Sequence, residues 1–298
     1  MTRCLTAVCS LIALPAAAQE ADPTPRIAIM SAFEPEWEVW RGALSDAEPR
    51  AINGVQVVTG TLEGQEVVLV LSGISMVNAA MTTQMALDRF EIEAIVFSGI
   101  AGGVDPDLSI GDVVVPARWG SYLESYLARE ADGEYVLPGF AETDFPNYDM
   151  IFPKPVQVVR EGMDGTERRF WFETDATFLE QAGAVAEDLS LEGCVEGGAC
   201  LDETPEIVVG GNGVSGMSFM DNADFRAYVF DTFEARVVDM ESAAVAQVAW
   251  ANDVPFVAFR SLSDLAGGGA GENEMETFYD LAAGNSARVV RALLARMD

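Results

Sequence analysis

AIVFSGIAGGVDPDLSIGDVVVP, residues 94–116, is the stretch on which the fold turns. Ala94–Phe97 is unbroken apolar sequence ending in a glycine-bearing run, and a segment with no polar face to offer water reads as a strand covered on both sides. GDVVVPARW (111–119) is a further strand, stopped by Pro116, which has no N–H for a ladder. Upstream, RIAIMSAF (26–33) reads as a buried first strand, and EPEWEVWRGAL (34–44) as a helix with Pro35 tolerated in its first turn. VQVVTGTLEGQEVVLVLSG (55–73) is a hairpin turning at Glu63-Gly64, and SMVNAAMTTQMALDRF (75–90) is a helix. Downstream, helices are predicted over 174–189, 222–233, 241–253 and 275–297, and strands over 205–216, 235–240 and 255–264. Strands alternating with helices predict an α/β fold, a sheet covered by helices on both faces. From about Ser121 to Arg169 the period is lost among Tyr, Pro, Gly and acidic residues. An elaborated insertion around 121–175 is expected there, with the character of a loop or lid.

The first residues have the form of a secretory signal. Arg3 precedes an apolar run from Leu5 to Leu14, and Ala16-Ala17-Ala18 follows it as a small-residue cleavage site. Residues 1–18 are therefore expected to be removed, leaving 19–298 as one domain in an exported protein, periplasmic or secreted. No later run is long and apolar enough to hold the mature chain in a membrane. The formal charge of −31, more negative still once Arg3 is lost, repels nucleic acid and anionic lipid. Nucleic-acid partners are excluded on that ground.

The chain has no histidine, so acid–base chemistry falls to carboxylates and the commonest zinc ligand is missing. No metal is expected. Cys194 and Cys200, in EGCVEGGACL, are the cysteines that remain after cleavage. An oxidising compartment favours a local disulfide between them; a two-cysteine metal site is the competing reading.

Ligands of open α/β sheets gather where strands end, which directs attention to Phe33-Glu34-Pro35-Glu36, Ser72-Gly73, Met240-Glu241 and Ser263-Asp264. Taken singly, each has a plain structural reading. Glu241 opens an apolar helix, where a carboxylate interacts with the dipole for about 0.3–1 kcal/mol. Asp264 precedes a glycine loop, where aspartate makes turns. The set carries more weight than its members.

IAIMSAFEPE, LSGISMVNAA, SGIAGGVDPDLSIGDVVVP, SGMSFMDN, VVDMESAAVA and FRSLSD, in that order from Arg26 to the C-terminus, resemble the methylthioadenosine/S-adenosylhomocysteine nucleosidases of the purine nucleoside phosphorylase superfamily. The resemblance implies a three-layer αβα sandwich around a central mixed, twisted sheet. It implies hydrolysis of the N-glycosidic bond of a purine nucleoside without a cofactor, and a homodimer in which one subunit helps build its neighbour's pocket. Glu36 matches the carboxylate that deprotonates the attacking water, and Asp264 the acid that protonates N7 of the leaving purine. Glu241 with Met240 matches the pair that holds the ribose. Phe219 and Met220 match the residues against the base, and Ala32, Phe33, Ser72 and Gly73 the rest of the wall. The chemistry suits these types, because cleavage builds positive charge on the sugar and negative charge on the base. Glu36 is expected to stay ionised and Asp264 to hold a proton.

Phosphorylases of the superfamily bind their anion with arginine and backbone amides. Residues 92–117 contain no basic residue, so a phosphate bound there would lack a counter-charge, and water is the expected nucleophile. Nor does SGIAGGVDP fit the GxGxxG dinucleotide fingerprint. Arg260 precedes the Asp264 turn and is a candidate to orient that carboxylate. Met275 and Phe278 are candidates to contact the 5′ substituent. Asp221 stands where these nucleosidases usually have asparagine. Phosphorolysis is one alternative. The other is a non-catalytic role like that of the plant storage proteins which resemble the superfamily; the presence of Glu36, Glu241 and Asp264 favours the enzyme.

Overall fold

The structure, a computed structural model, describes residues 21–195 and 197–297; the expected signal, 1–18, lies outside them. In chain order the elements are β1 (Asp22–Ser31), α1 (Glu34–Glu38), β2 (Ser45–Ile52), β3 (Val55–Leu62), β4 (Gln65–Leu71), α2 (Met76–Arg89) and β5 (Phe90–Gly103). Then come β6 (Val113–Val115), β7 (Arg118–Ser121), β8 (Trp171–Glu173), α3 (Ala176–Asp188), β9 (Ile207–Val209), β10 (Asn212–Ser215), α4 (Ala223–Phe233), β11 (Ala235–Asp239), α5 (Ser242–Ala251), β12 (Phe256–Asp264) and α6 (Met275–Leu294). These twelve strands form one mixed sheet, with shorter strands of the insertion paired apart from it.

The apolar runs are central strands because both of their faces are covered. In β1, β4 and β5, Ile27, Ile29, Val67, Leu69, Ala94 and Val96 enter one core with Trp37, Phe178 and the α6 residues Val289, Val290 and Leu293. The alternate residues Ala28, Met30, Val68, Val70, Ile95 and Phe97 enter the other core, with Ala79 and Ala86 of α2 and Ala243–Ala246 of α5. This period of two, buried on both sides, gives three layers: α2 and α5, the sheet, then α1, α3 and α6. Each Val, Leu or Ile so covered contributes roughly 1.5–3 kcal/mol.

The glycines of AIVFSGIAGG do not end β5; the strand runs through them to Gly103. β5 pairs in parallel with β1 on one side and with β12 on the other, and its last residues, Gly102 and Gly103, also meet Val238 and Val237 of β11. A side chain on Gly102 would press on Asp264 and Val238. One on Gly99 would collide with Arg260 and Glu36. Their role is to let functional side chains come close to the sheet.

Three elements depart from expectation. The run 205–216, predicted as one strand, is two, β9 pairing with β6 and β10 with β7 and β11, because Gly210-Gly211 breaks it at positive φ. α1 is only five residues long, because the chain tightens after Glu38 into i→i+3 bonds (Trp40 N to Trp37 O, Arg41 N to Glu38 O), which put Trp37 and Trp40 on one buried side. β2 gave no apolar alternation, since its residues 45–51 are exposed on the sheet edge, and the charges and Pro49 there suit an edge.

The insertion between β7 and β8 packs on α4. Phe145 and Phe170 meet Phe233, and Tyr148 meets Phe225 and Tyr228. Cys194 and Cys200 are joined by a disulfide, which removes them as metal ligands.

Candidate active site

Glu36 is placed by its own local sequence. Pro35 brings a preset φ to the first turn of α1, and Glu36, one residue on, turns its carboxylate back over the start of the helix. Oε2 accepts the N–H of Ala32 at 2.8 Å and of Phe33 at 2.9 Å, and Oε1 accepts that of Ile100 at 2.8 Å. Burial pushes this carboxyl above its ordinary range, against the pull of Arg260 and the three amides.

Arg260 is the lone charge in the apolar strand β12 before its closing aspartate and is fully buried, its guanidinium stacked on Phe97 at 4.1 Å. It faces three carboxylates: Asp239 at 2.8 Å, Glu241 at 3.7 Å and Glu36 at 3.8 Å. The expectation that Arg260 orients Asp264 is therefore corrected, because the guanidinium is held among the other three acids.

Asp239 explains how Glu241 is freed. Its Oδ1 accepts the N–H groups of Glu241 at 3.2 Å and Ser242 at 3.1 Å and meets the Ser215 hydroxyl, so it serves the N-terminus of α5. Glu241 is the N-cap residue by position yet makes no side-chain cap bond. Its Oε1 instead accepts Ser75 N at 2.7 Å. Burial first, then the charges of Asp239 and Glu36, push Glu241 up to about 8, against Arg260 and the Ser75 N–H. These influences bias Glu241 towards its protonated form.

Asp264 closes β12. Oδ1 accepts Ala266 N at 2.8 Å and the Asn273 amide at 3.3 Å, and Oδ2 meets the Ser263 hydroxyl at 3.0 Å. Burial, with a contribution from Asp221, pushes this carboxyl up, the direction an acid needs.

One pocket gathers these groups at the carboxyl ends of β1, β5, β11 and β12. Of the residues expected from sequence, Ala32, Phe33, Glu36, Phe219, Met220, Met240, Glu241 and Asp264 line it. Ser72 and Gly73 do not: Ser72 is tied into the sheet through its N–H to Ser31 O, and the wall is made by a following residue, Ile74. Met275 lines the pocket, whereas Phe278, nearly a turn further along α6, packs on Ile110 and Leu281. No residue of 121–175 lines it. Ser263, singled out beside Asp264 in the sequence, lines the pocket too, whereas sequence reading missed Asp239, Ser75 and Asn273. Asp239 alone left a signal, two residues before Glu241 at a strand end.

The sequence model of the Phosphorylase superfamily matches residues 26–295. The chain belongs to that superfamily. It is similar to the 5′-methylthioadenosine/S-adenosylhomocysteine nucleosidase of Bacillus licheniformis, 30% identical over 92% of this chain and 100% of the relative. That of Bacillus thuringiensis is 31% identical over 91% and 99%. Among solved structures, the nucleosidase of S. pneumoniae with a transition-state inhibitor superposes with a TM-score of 0.69 at 25% identity, covering 92% of this chain and 100% of that one. The futalosine hydrolase of Helicobacter pylori shares the fold, with a TM-score of 0.67 at 22% identity over 92% and 98%. This superfamily member is thus nucleosidase-like along nearly its whole length.

Proposed function

We propose that this protein hydrolyses the N-glycosidic bond of a purine nucleoside with an apolar 5′ substituent, methylthioadenosine or S-adenosylhomocysteine by likeness to its relatives, giving free base and sugar. The observation that carries the reading is one pocket faced by Glu36 and Glu241 beside a buried arginine and by Asp264 on its own at the far strand end. Water attacks C1′ and passes a proton to Glu36, whose raised carboxyl is a stronger base for it. The C1′–N9 bond breaks, its electron pair goes to the purine, and Asp264 delivers a proton to N7. Glu241 hydrogen-bonds the ribose hydroxyls beside Met240. Phe219 and Met220 hold the base.

Water as nucleophile is supported by the lining, which contains no lysine or arginine among the described residues. Ile74, Phe33 and Met275 supply an apolar wall for the 5′ group, and Phe33 is braced edge-on by Tyr279 at 6.1 Å. The test is incubation of the mature chain with methylthioadenosine, S-adenosylhomocysteine, adenosine, inosine and guanosine, with and without phosphate, followed by chromatography. Free base with free sugar in both buffers is expected. Sugar 1-phosphate formed only with phosphate would replace hydrolysis by phosphorolysis, and no turnover would favour the binding or storage role.

Two further parts of the proposal concern the protein's surroundings. A homodimer is supported by exposed apolar residues near the pocket mouth: Ile74, Val77 and Met81 along the start of α2, and Met217 and Phe219. Export is supported by the form of residues 1–18 and by the Cys194–Cys200 disulfide, which suits an oxidising compartment. Sedimentation and N-terminal sequencing of the exported chain check these.

A further inference from the structure

Asp221 follows the base-side residues Phe219 and Met220, but its carboxylate lies outside the pocket, in a neighbouring cavity that it lines with Asp264, Asn273 and the glycine loop after Asp264. The Asn273 amide nitrogen donates to Asp221 Oδ1 at 3.1 Å and to Asp264 Oδ1 at 3.3 Å. Its orientation is fixed by a third bond: Met275 N, at the start of α6, donates to Asn273 Oδ1 at 3.0 Å, so the oxygen faces the helix and the nitrogen the two carboxylates. Asp264 Oδ1 therefore receives two donors, Ala266 N and Asn273 Nδ2, which occupy both of its lone pairs. A proton on Asp264 belongs on Oδ2, where the Ser263 hydroxyl can accept as well as donate.

We propose that Asn273, anchored by Asp221, is a positioning residue that fills Oδ1 of Asp264 and so places the acid's proton on Oδ2, and that the negative charge of Asp221 acts on the same carboxyl through this shared amide. The proposal rests on the reading of Asp264 as the general acid. It gives a function to a residue that departs from the pattern of the nucleosidases the sequence resembles. The other charges around Asp264 are already engaged or stand apart from this chain of bonds. Arg226 of α4 is turned to the carbonyls of Gly103 and Asp105, and Arg260 to Glu36, Asp239 and Glu241. Glu272 and Glu274 flank Asn273 on the loop, and Glu36, Asp239 and Glu241 face Asp264 across the pocket. The direction agrees: burial raises the Asp264 carboxyl, and Asp221 adds to the rise. Because Asp221 is exposed, its influence is open to screening by salt.

The test is a titration of the Asp264 carboxyl by carbon-13 NMR of aspartate-labelled protein, its resonance identified by loss in Asp264→Asn. Asp221→Asn keeps an oxygen for the Asn273 amide and removes the charge. The Asp264 midpoint is expected to fall by about half a pH unit. The alkaline limb of kcat/KM should move down with it, and 1 M salt should shrink the difference between the two proteins. Asn273→Ala should lower kcat by roughly 3- to 10-fold with little change in KM. An unmoved Asp264 midpoint in Asp221→Asn overturns the electrostatic role, and an unchanged kcat in an active Asn273→Ala overturns the positioning role. The titration does not need turnover, so a wild-type protein that binds no nucleoside would sink the nucleosidase reading by a separate result.

Discussion

At the Glu36 end of the pocket, the partners found for the carboxyl are donors without an acceptor function: the amides of Ala32, Phe33 and Ile100, and the guanidinium of Arg260. At the Asp264 end, one oxygen receives two N–H groups while the other meets a hydroxyl, and the nearby charge is negative. Burial raises both carboxyls, so desolvation does not tell the base from the acid. The hydrogen-bond partners do. Pure donors on both oxygens favour the ionised form at Glu36, whereas a hydroxyl and a like charge leave room for a proton at Asp264. Acid and base are thus separated by what surrounds two buried groups of the same chemical kind.

The most forceful way to break this comparison is to neutralise each carboxyl in turn. Glu36→Gln and Asp264→Asn are each expected to lower kcat/KM by roughly 10²–10⁴-fold. Their stabilities should differ. In Glu36→Gln the new amide nitrogen must turn towards one of the N–H donors, which costs about 1–3 kcal/mol for the unsatisfied pair. In Asp264→Asn the new amide can keep its oxygen towards Ala266 and Asn273 and offer its nitrogen to Ser263. Equal loss in thermal melts of the two variants would show that the partner sets do not differ as described.

Removing the shared cation tests the Glu36 end by itself. Arg260→Met leaves Glu36, Asp239 and Glu241 buried without their counter-charge, a loss of about 3–5 kcal/mol. Tm should fall by roughly 10 °C. Asp264 has no bond to that guanidinium, so its titration should survive in whatever protein remains folded. A shift there as large as at Glu241 would mean that the two ends are one electrostatic unit.

A smaller effect is expected in the pH dependence of stability. Glu241 is raised from 4.5 to about 8, so between those values the folded chain holds a proton that the unfolded chain has released. Folding then binds protons, and stability falls as pH rises through that window. Glu36, Asp264 and Asp112 are shifted in the same direction. Glu241→Gln should flatten the decline without abolishing it, as read from Tm between about pH 5 and pH 8. A decline as steep as in the wild type would show that Glu241 is not the group that holds the proton.

The same contrast explains what could be read in advance. Glu36 and Asp264 stand at strand ends beside prolines, serines and glycines, where a polar residue after an apolar run is conspicuous, and both line the pocket. The sheet was legible because β1, β4 and β5 are apolar on both faces. Arg260 is visible as a charge in an apolar strand, but its partners come from α1, the end of β11 and the N-cap of α5, which are not its sequence neighbours. The nearest carboxylate along the chain, Asp264, was the wrong choice for that reason. Phe278 and Met275 share a helix, yet three residues of rise and rotation separate a pocket wall from a core contact. β2 could not be read because an exposed edge needs no apolar period.

Ser75 left no sequence signal, and it offers the finest test of the Glu241 geometry. It adopts φ 90° and ψ 148°, a region that a side chain enters only with strain, and in that conformation its N–H points to Glu241 Oε1 at 2.7 Å. Glycine enters the region freely. If the strain serves only to aim that N–H, Ser75→Gly should keep the bond and raise stability by about 1 kcal/mol, net of the greater freedom glycine gives the unfolded chain. Its Tm should rise by roughly 2–4 °C, with the pH dependence of stability unchanged. A stabilised variant with a steeper decline between about pH 5 and pH 8 would mean that the amide has swung away from Glu241, since losing a donor to the ionised form raises the carboxyl further. The backbone at Ser75 would then be held in place by its side chain, and the strained conformation would be part of how this end of the pocket keeps its carboxylate.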